Sequence, residues 1–269
     1  MTRVYLAYRD FAIHLARSAG AHMMKHHSPF GFPMTTKNNR SALTAIDTAL
    51  NAKVIETITH TYPDHSVLAE EGNSINQTSE YVWVCDPLDG TRQFAMGTAT
   101  FAFSLALVYQ GNPVIGVIYE PYTNKLYEAV KGEGACLNGN RIKVSKKNKL
   151  QDALCFFASN PHSRYNILAL APMLIAHTKR VYNIGSCAVE GGLVASGMAE
   201  TVIYANDGAH DFAAIKIIVE EAGGTVTDLW GASQRYDNPL KGALVSNGLI
   251  HRQLLHLVQK TLDTKRINR

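Results

Sequence analysis

The chain has 269 residues, 46% of them hydrophobic and 18% charged, a balance that fits one large globular domain or two ordinary ones and excludes a disordered chain. No apolar run approaches the roughly 18 residues needed to span a bilayer, and Arg3, Arg9 and Asp10 interrupt the N-terminal apolar positions, which argues against a secretory signal. The net charge of +4 is spread along the chain; its densest cluster, Lys143 to Lys149, lacks interleaved aromatics and reads as a solvated hairpin end, not a nucleic-acid patch.

In chain order, Val4, Ala7, Phe11, Leu15 and Ala19 recur at helical spacing and predict an amphipathic helix over 4–24. His22 and His26 share one face of it. Without a His-Glu-x-x-His motif or a third ligand, they and His27 read as a polar surface and not a transition-metal site. Pro29, Gly31 and Pro33 mark 28–40, with its Lys37, as loop. Leu43, Ile46, Leu50, Val54 and Ile58 predict a second helix ending near Tyr62-Pro63. Asp47 lies in its first turns on the buried side, where a carboxylate asks for a metal, a water network or a cation.

From Phe101 to Val144 the pattern is that of strands, at 101–109, 114–119 and 125–130, and Asn138-Gly139 is a hairpin signal. Gly132-x-Gly134 lacks the third glycine of a nucleotide-binding turn and precedes a hairpin, so that reading is rejected. Beyond Leu150, strands at 153–157, 181–182, 201–204, 225–227 and 243–246 alternate with helices at 165–177, 187–196, 211–222 and 249–262. Such alternation predicts a largely parallel α/β sheet in the C-terminal half, and the N-terminal half reads as helices over an antiparallel sheet. The division expected is 1–150 and 151–269. Cys85, Cys136, Cys155 and Cys187 are widely spaced, as reduced thiols of a cytoplasmic enzyme would be.

The most informative stretch is Asp86-Pro87-Leu88-Asp89-Gly90-Thr91, which follows the apolar run Tyr81 to Cys85. Pro87 fixes its own φ and limits Asp86, so a turn here throws both acids toward one point. If Thr91 opens a helix, the N–H groups of Gly90, Thr91 and Arg92 are unpaired and favour a phosphate. Hard oxygen ligands beside an anion pocket point to Mg²⁺. The alternative is a plain strand-to-turn junction.

Four further acids accompany the motif: Asp47, the pair Glu70-Glu71 ending the run from Val67, and Asp211 in His210-Asp211-Phe212-Ala213-Ala214. The ordered set, from about Ala42 to Gly231, resembles the inositol monophosphatase family of Mg²⁺-dependent, lithium-sensitive phosphatases. That resemblance implies a layered α-β-α-β-α sandwich, as in inositol monophosphatase and fructose-1,6-bisphosphatase, and a homodimer. It also implies one Mg²⁺ on Glu70, Asp86 and the Leu88 carbonyl, a second on Asp86, Asp89 and Asp211, and a third, weaker ion leaning on Glu70. Thr91 and Asp47, with Glu70, would orient and deprotonate a metal-activated water, and Gly90 and Thr91 N–H groups would hold the phosphate. Gly185, Ser186 and Cys187, with Asp211, would touch the substrate; Ser186 also reads as a helix N-cap. Glu71 either orders Glu70 or faces solvent.

Three departures stand out. His210 replaces the family's Trp, and Tyr204 or a neighbour, with Asp207 nearby, stands where inositol-1-phosphate enzymes carry an acid for the ring hydroxyls. The long loop near Lys37 does not match the family closely. The expected activity is hydrolysis of a small polyol or sugar phosphate, inositol-1-phosphate first. Fructose-1,6-bisphosphate, histidinol phosphate and 3′-phosphoadenosine 5′-phosphate are the alternative substrates. A phosphatase-like binding or regulatory protein is the alternative of another class, for which loss of a metal ligand would be the sign; none is lost.

Overall fold

A computed structural model of the chain describes residues 2–31, 35–36, 42–43, 45–74, 76, 79–159, 165, 167–205 and 208–266. Helix α1 (Thr2–His26) is followed by a short antiparallel pair, β1 (Thr35–Thr36) and β2 (Ala42–Leu43), and by α2 (Ala45–Thr61). Then come β3 (Ser66–Ala69), β4 (Gly72–Ser74), β5 (Tyr81–Asp89) and the short α3 (Thr91–Ala95). A meander follows: β6 (Ala102–Tyr109), β7 (Asn112–Glu120), β8 (Lys125–Val130), β9 (Gly134–Leu137) and β10 (Asn140–Arg141). Asn138 and Gly139 both take positive φ in the last hairpin, as their sequence predicts. A 3₁₀ turn at Leu150–Asp152 leads into β11 (Leu154–Ala158), α4 (Leu170–His177), β12 (Arg180–Tyr182), α5 (Cys187–Ala195) and β13 (Thr201–Tyr204). The chain closes with α6 (Ala209–Glu221), β14 (Thr225–Thr227), β15 (Ala243–Ser246) and α7 (His251–Arg266).

The strands form an eight-stranded sheet, β10-β9-β8-β7-β6-β5-β3-β4, and a five-stranded sheet, β12-β11-β13-β15-β14. Helices α1 and α2 cover one face of the large sheet, α5 and α6 lie between the sheets, and α4 and α7 cover the outer face of the small one. The five layers are therefore those expected. Apart from Ser104, the buried stretch of strand β6 is apolar on both faces because both are covered. Phe103, Leu105 and Leu107 pack toward α1 and α2, while Ala102 and Ala106 pack toward the middle layer. Small residues on that inner face let α6 approach closely. A Cβ at Gly116 would come within 2.6 Å of Ile217 Cγ2 and 2.8 Å of the Ala214 carbonyl oxygen.

Three expectations are corrected. The small sheet is mixed: β12, β11 and β13 are parallel, but β15 runs antiparallel to both β13 and β14. A parallel neighbour needs a crossover, usually helical, and residues 228–242 between β14 and β15 contain no helix. The large sheet has one parallel pair, β3 with β5. Helix α4 begins at Leu170 and not at Tyr165, because Pro172 is tolerated only within a first turn. The region of Lys37 lies outside the described residues.

Candidate active site

A regular strand points residues three apart to opposite faces. In β5 the register shifts, so that Asp86 pairs with Ser104 while Asp89 pairs with Ala102, three steps against two. This bulge brings Asp86 and Asp89 to one face, the middle-layer side on which Val84 and Ala102 pack, while Cys85 and Leu88 face α1 and α2. Pro87, which has no N–H for the ladder, sits within the irregularity. The strand thus runs through the motif to Asp89, past the Cys85 end read from its apolar run. The Asp86 carboxylate accepts the Leu88 N–H at 3.0 Å.

Gly90 leaves the strand in the left-handed region, φ 87° and ψ 36°. A Cβ there would stand 2.8 Å from the Thr100 carbonyl oxygen and 3.2 Å from Ser186 Cβ, so conformation and crowding both call for glycine. Thr91 then opens α3, as expected. Its hydroxyl donates to Asp47 Oδ1 at 2.8 Å and to the Leu88 carbonyl oxygen at 3.1 Å, tying the first turn of α2 to the motif. Glu70 directly follows β3, and its N–H donates to the Cys85 carbonyl oxygen at 3.2 Å, which sets it beside Asp86. The neighbouring Glu71 is half-buried, and its N–H reaches Asn51 Oδ1 at 3.4 Å.

The other wall comes from the first turns of α5 and α6. Ser186 is the N-cap of α5, accepting the Val189 N–H at 3.3 Å, and its hydroxyl also donates to Asp89 Oδ2. The Ala188 N–H donates to the same oxygen at 2.8 Å. Capping and site-building are therefore one role. Cys187 Sγ lies 3.4 Å from Asp89 Oδ1 and 3.6 Å from Asp211 Oδ1. His210 Nε2 is 3.9 Å from the Asp211 carboxylate. Among the described residues, Asp89, Cys187 and Asp211 form a group whose donor atoms lie within 4.8 Å of one another. Gly185, at φ 80°, packs against the Gln93 side chain.

Burial is the main cause that lifts the Asp86 carboxyl well above the carboxylate range, followed by the charges of Glu70, Asp89 and Asp211. Asp89 is pushed up to about 6, chiefly by burial and also by Asp211, against the opposing hydrogen bonds from Ser186, Ala188 and Cys187. Two buried carboxyls that resist ionisation, Asp86 and Asp89, with Glu70 and Asp211 beside them, are a donor set suited to a divalent cation, which would offset their repulsion. The oxygen-rich composition fits a hard ion.

Sequence reasoning missed Glu190. It is the single charged residue of α5, and it is wholly buried. Its carboxylate accepts the Ile184 N–H at 2.7 Å and the Tyr204 hydroxyl at 2.6 Å, fastening the segment that leads to Ser186. An acid alone in an apolar helix was the available signal. Tyr204 is thus buried beneath α5, and Asp207 lies outside the described residues. The His22 and His26 rings lie 4.5 Å apart, tilted at 39°, while His27 Nε2 is hydrogen-bonded to the Thr98 carbonyl oxygen, an arrangement of surface and loop contacts.

A layered α/β sandwich with acids converging between its sheets is the architecture of a class of phosphoric monoester hydrolases, and comparison with known proteins gives the same answer. The model of the inositol monophosphatase family matches residues 7–263. The fructose-1,6-bisphosphatase/inositol-1-monophosphatase of Thermotoga maritima is 31% identical over 254 residues, covering 94% of this chain and 96% of that protein. The Nus factor SuhB of Haemophilus influenzae is 35% identical over 224 residues, covering 81% and 84%. The solved inositol monophosphatase structure from Thermotoga maritima superposes with a TM-score of 0.86 at 30% identity, covering 98% of this chain and 99% of that one. The chain belongs to the inositol monophosphatase family and is a phosphoric monoester hydrolase. Among the described residues no helix is long and apolar enough to cross a membrane.

Proposed function

We propose that the protein is a Mg²⁺-dependent, lithium-sensitive phosphomonoesterase acting on inositol-1-phosphate, or on a closely similar polyol or sugar phosphate, by direct attack of water. The observation that carries this reading is the meeting of Glu70, Asp86, Asp89 and Asp211 beside the Thr91–Asp47 hydrogen bond. In this reading Glu70, Asp86 and the Leu88 carbonyl hold one cation, and Asp86, Asp89 and Asp211 hold a second. Bound there, Mg²⁺ would neutralise phosphate charge and favour ionised water. The Thr91 hydroxyl orients the attacking water, and Asp47, hydrogen-bonded to that hydroxyl, receives its proton. Gly90 and Thr91 offer backbone N–H groups to the phosphate oxygens. Ser186 holds Asp89 in place, while Gly185 and Cys187 border the alcohol side. Residues 1–150 supply most of the ligands and the phosphate contacts, and 151–269 supply Asp211 and the contacts to the alcohol side of the substrate.

The name of the Thermotoga relative supports both inositol-1-phosphate and fructose-1,6-bisphosphate as candidates. A cytoplasmic homodimer is the setting proposed. A second reading, a binding or regulatory role, draws support from the Nus factor name of the Haemophilus relative. Phosphate release from a panel of inositol-1-phosphate, fructose-1,6-bisphosphate, histidinol phosphate and 3′-phosphoadenosine 5′-phosphate, assayed with Mg²⁺, separates them. Preference for inositol-1-phosphate is expected. Faster turnover of another panel member would reassign the substrate, and no turnover of any would favour the binding role.

A further inference from the structure

Cys187 is the first residue of α5, and two other elements place donors around its thiol: the end of β5 brings Asp89, and the first turn of α6 brings Asp211. The sulfur is buried, with Asp89 Oδ1 at 3.4 Å, Asp211 Oδ1 at 3.6 Å and the Asp211 carbonyl oxygen at 3.6 Å. Its backbone is fixed on both sides, by the Ser186 cap before it and by the Ala188 N–H bond to Asp89 after it. A divalent ion bound by sulfur at about 2.3 Å and by oxygen at about 2.0–2.2 Å in a tetrahedral arrangement separates those donors by about 3.5–3.7 Å. The distance to Asp211 Oδ1, 3.6 Å, falls within that span, and the distance to Asp89 Oδ1, 3.4 Å, lies just below it.

Oxygen ligands suit Mg²⁺, whereas a sulfur ligand selects softer ions. Resting on the proposed reading that a cation lies between Asp89 and Asp211, we propose that Cys187 adds a sulfur donor to that position. The consequence is that it holds Zn²⁺, Co²⁺ or Cd²⁺ more tightly than carboxylates alone would. The thiol proton passes to solvent as the metal–sulfur bond forms, with no change of oxidation state. The other thiols lie apart from this position: Cys85 packs on the α1–α2 side of the large sheet, Cys155 under the outer helices, and Cys136 in β9.

The test uses the full-length protein stripped of metal with a chelator and titrated with Co²⁺. A near-ultraviolet sulfur-to-cobalt charge-transfer band should grow with bound Co²⁺, persist in Cys136→Ser, and be absent from both Cys187→Ala and Cys187→Ser. Two replacements of Cys187 are used so that a folding failure in one leaves the other. In competition experiments, the loss of Cys187 should weaken Zn²⁺ binding at least roughly tenfold while Mg²⁺ affinity stays unchanged. Co²⁺ binding without the band, or a band that survives in the Cys187 variants, would reduce Cys187 to a hydrogen-bond donor and overturn the inference alone. Calorimetry that detects no binding of Co²⁺ or Mg²⁺ would overturn the inference together with the cation-dependent reading beneath it.

Discussion

Thr91 has one hydroxyl proton and two acceptors, Asp47 Oδ1 and the Leu88 carbonyl oxygen, so its side chain links three segments without adding charge. If it orients the attacking water, Thr91→Ala should lower kcat by roughly 10²-fold or more, as loss of a positioned proton-transfer group does. Mg²⁺ affinity and KM should change little, because no anionic ligand and no backbone N–H is removed. Normal kcat with weakened Mg²⁺ binding would make Thr91 a structural tie instead. Glu190 offers a different test. Burial pushes its carboxyl up to about 7 from an ordinary 4.5, while the bonds from Tyr204, Ile184 and Gly185 oppose the shift. The folded protein therefore binds a proton that the unfolded chain has released. The corresponding stability is whole below about pH 4.5 and is lost as the pH rises through about 7. In Glu190→Gln this dependence should vanish, since the amide can accept from Ile184 and donate to the Tyr204 oxygen. Thermal unfolding of the metal-free proteins across that window should give a flatter Tm curve for the variant. Parallel curves would remove Glu190 as the titrating group. Asp47, Glu70, Asp86, Asp89 and Asp211 were all legible in the sequence; Glu190 was not, because it belongs to no motif and its partners lie on a loop and on β13.

Elements, not residues, set the directions of those side chains. The strand periodicity of β5 was readable from Tyr81 to Cys85, but the bulge that puts Asp86 and Asp89 on one face depends on pairing with β6, a partner no local pattern identifies. The same holds for the mixed order of the small sheet, whereas the meander β6 to β8 and the Asn138-Gly139 turn are local and were legible. Helix α6 carries Asp211 and packs over Gly116 of β7. Gly116→Ala should therefore cost about 1–3 kcal/mol of stability, the usual penalty of overpacking, and should weaken Mg²⁺ binding by displacing Asp211. Unchanged Tm and Mg²⁺ affinity would show that α6 has room to spare. Asp89→Asn and Asp211→Asn alter the same proposed cation position from two elements. Each should abolish most activity, and the double variant should be scarcely worse than either single one. A single variant near the wild-type rate at saturating Mg²⁺ would remove that residue from the site.

At the scale of the whole molecule, the middle layer is the decisive feature. Helices α5 and α6 follow the meander in sequence yet pack against the large sheet, so Ser186, Cys187 and Asp211 reach acids more than ninety residues earlier. This long-range closure concentrates negative charge in a buried place, and cations are the natural means of balancing it. Sequence alone disclosed the alternation of elements and the acid set; that the layers would meet at this one point came through family resemblance, since no periodicity encodes it. In the proposed reading the acid cluster works as a cation-dependent phosphomonoesterase site. Its most direct test is phosphate release from inositol-1-phosphate by metal-stripped protein, measured before and after Mg²⁺ is restored. Negligible release without metal and full recovery on adding Mg²⁺ are expected; equal release in both states would show that the acids do not act through a cation.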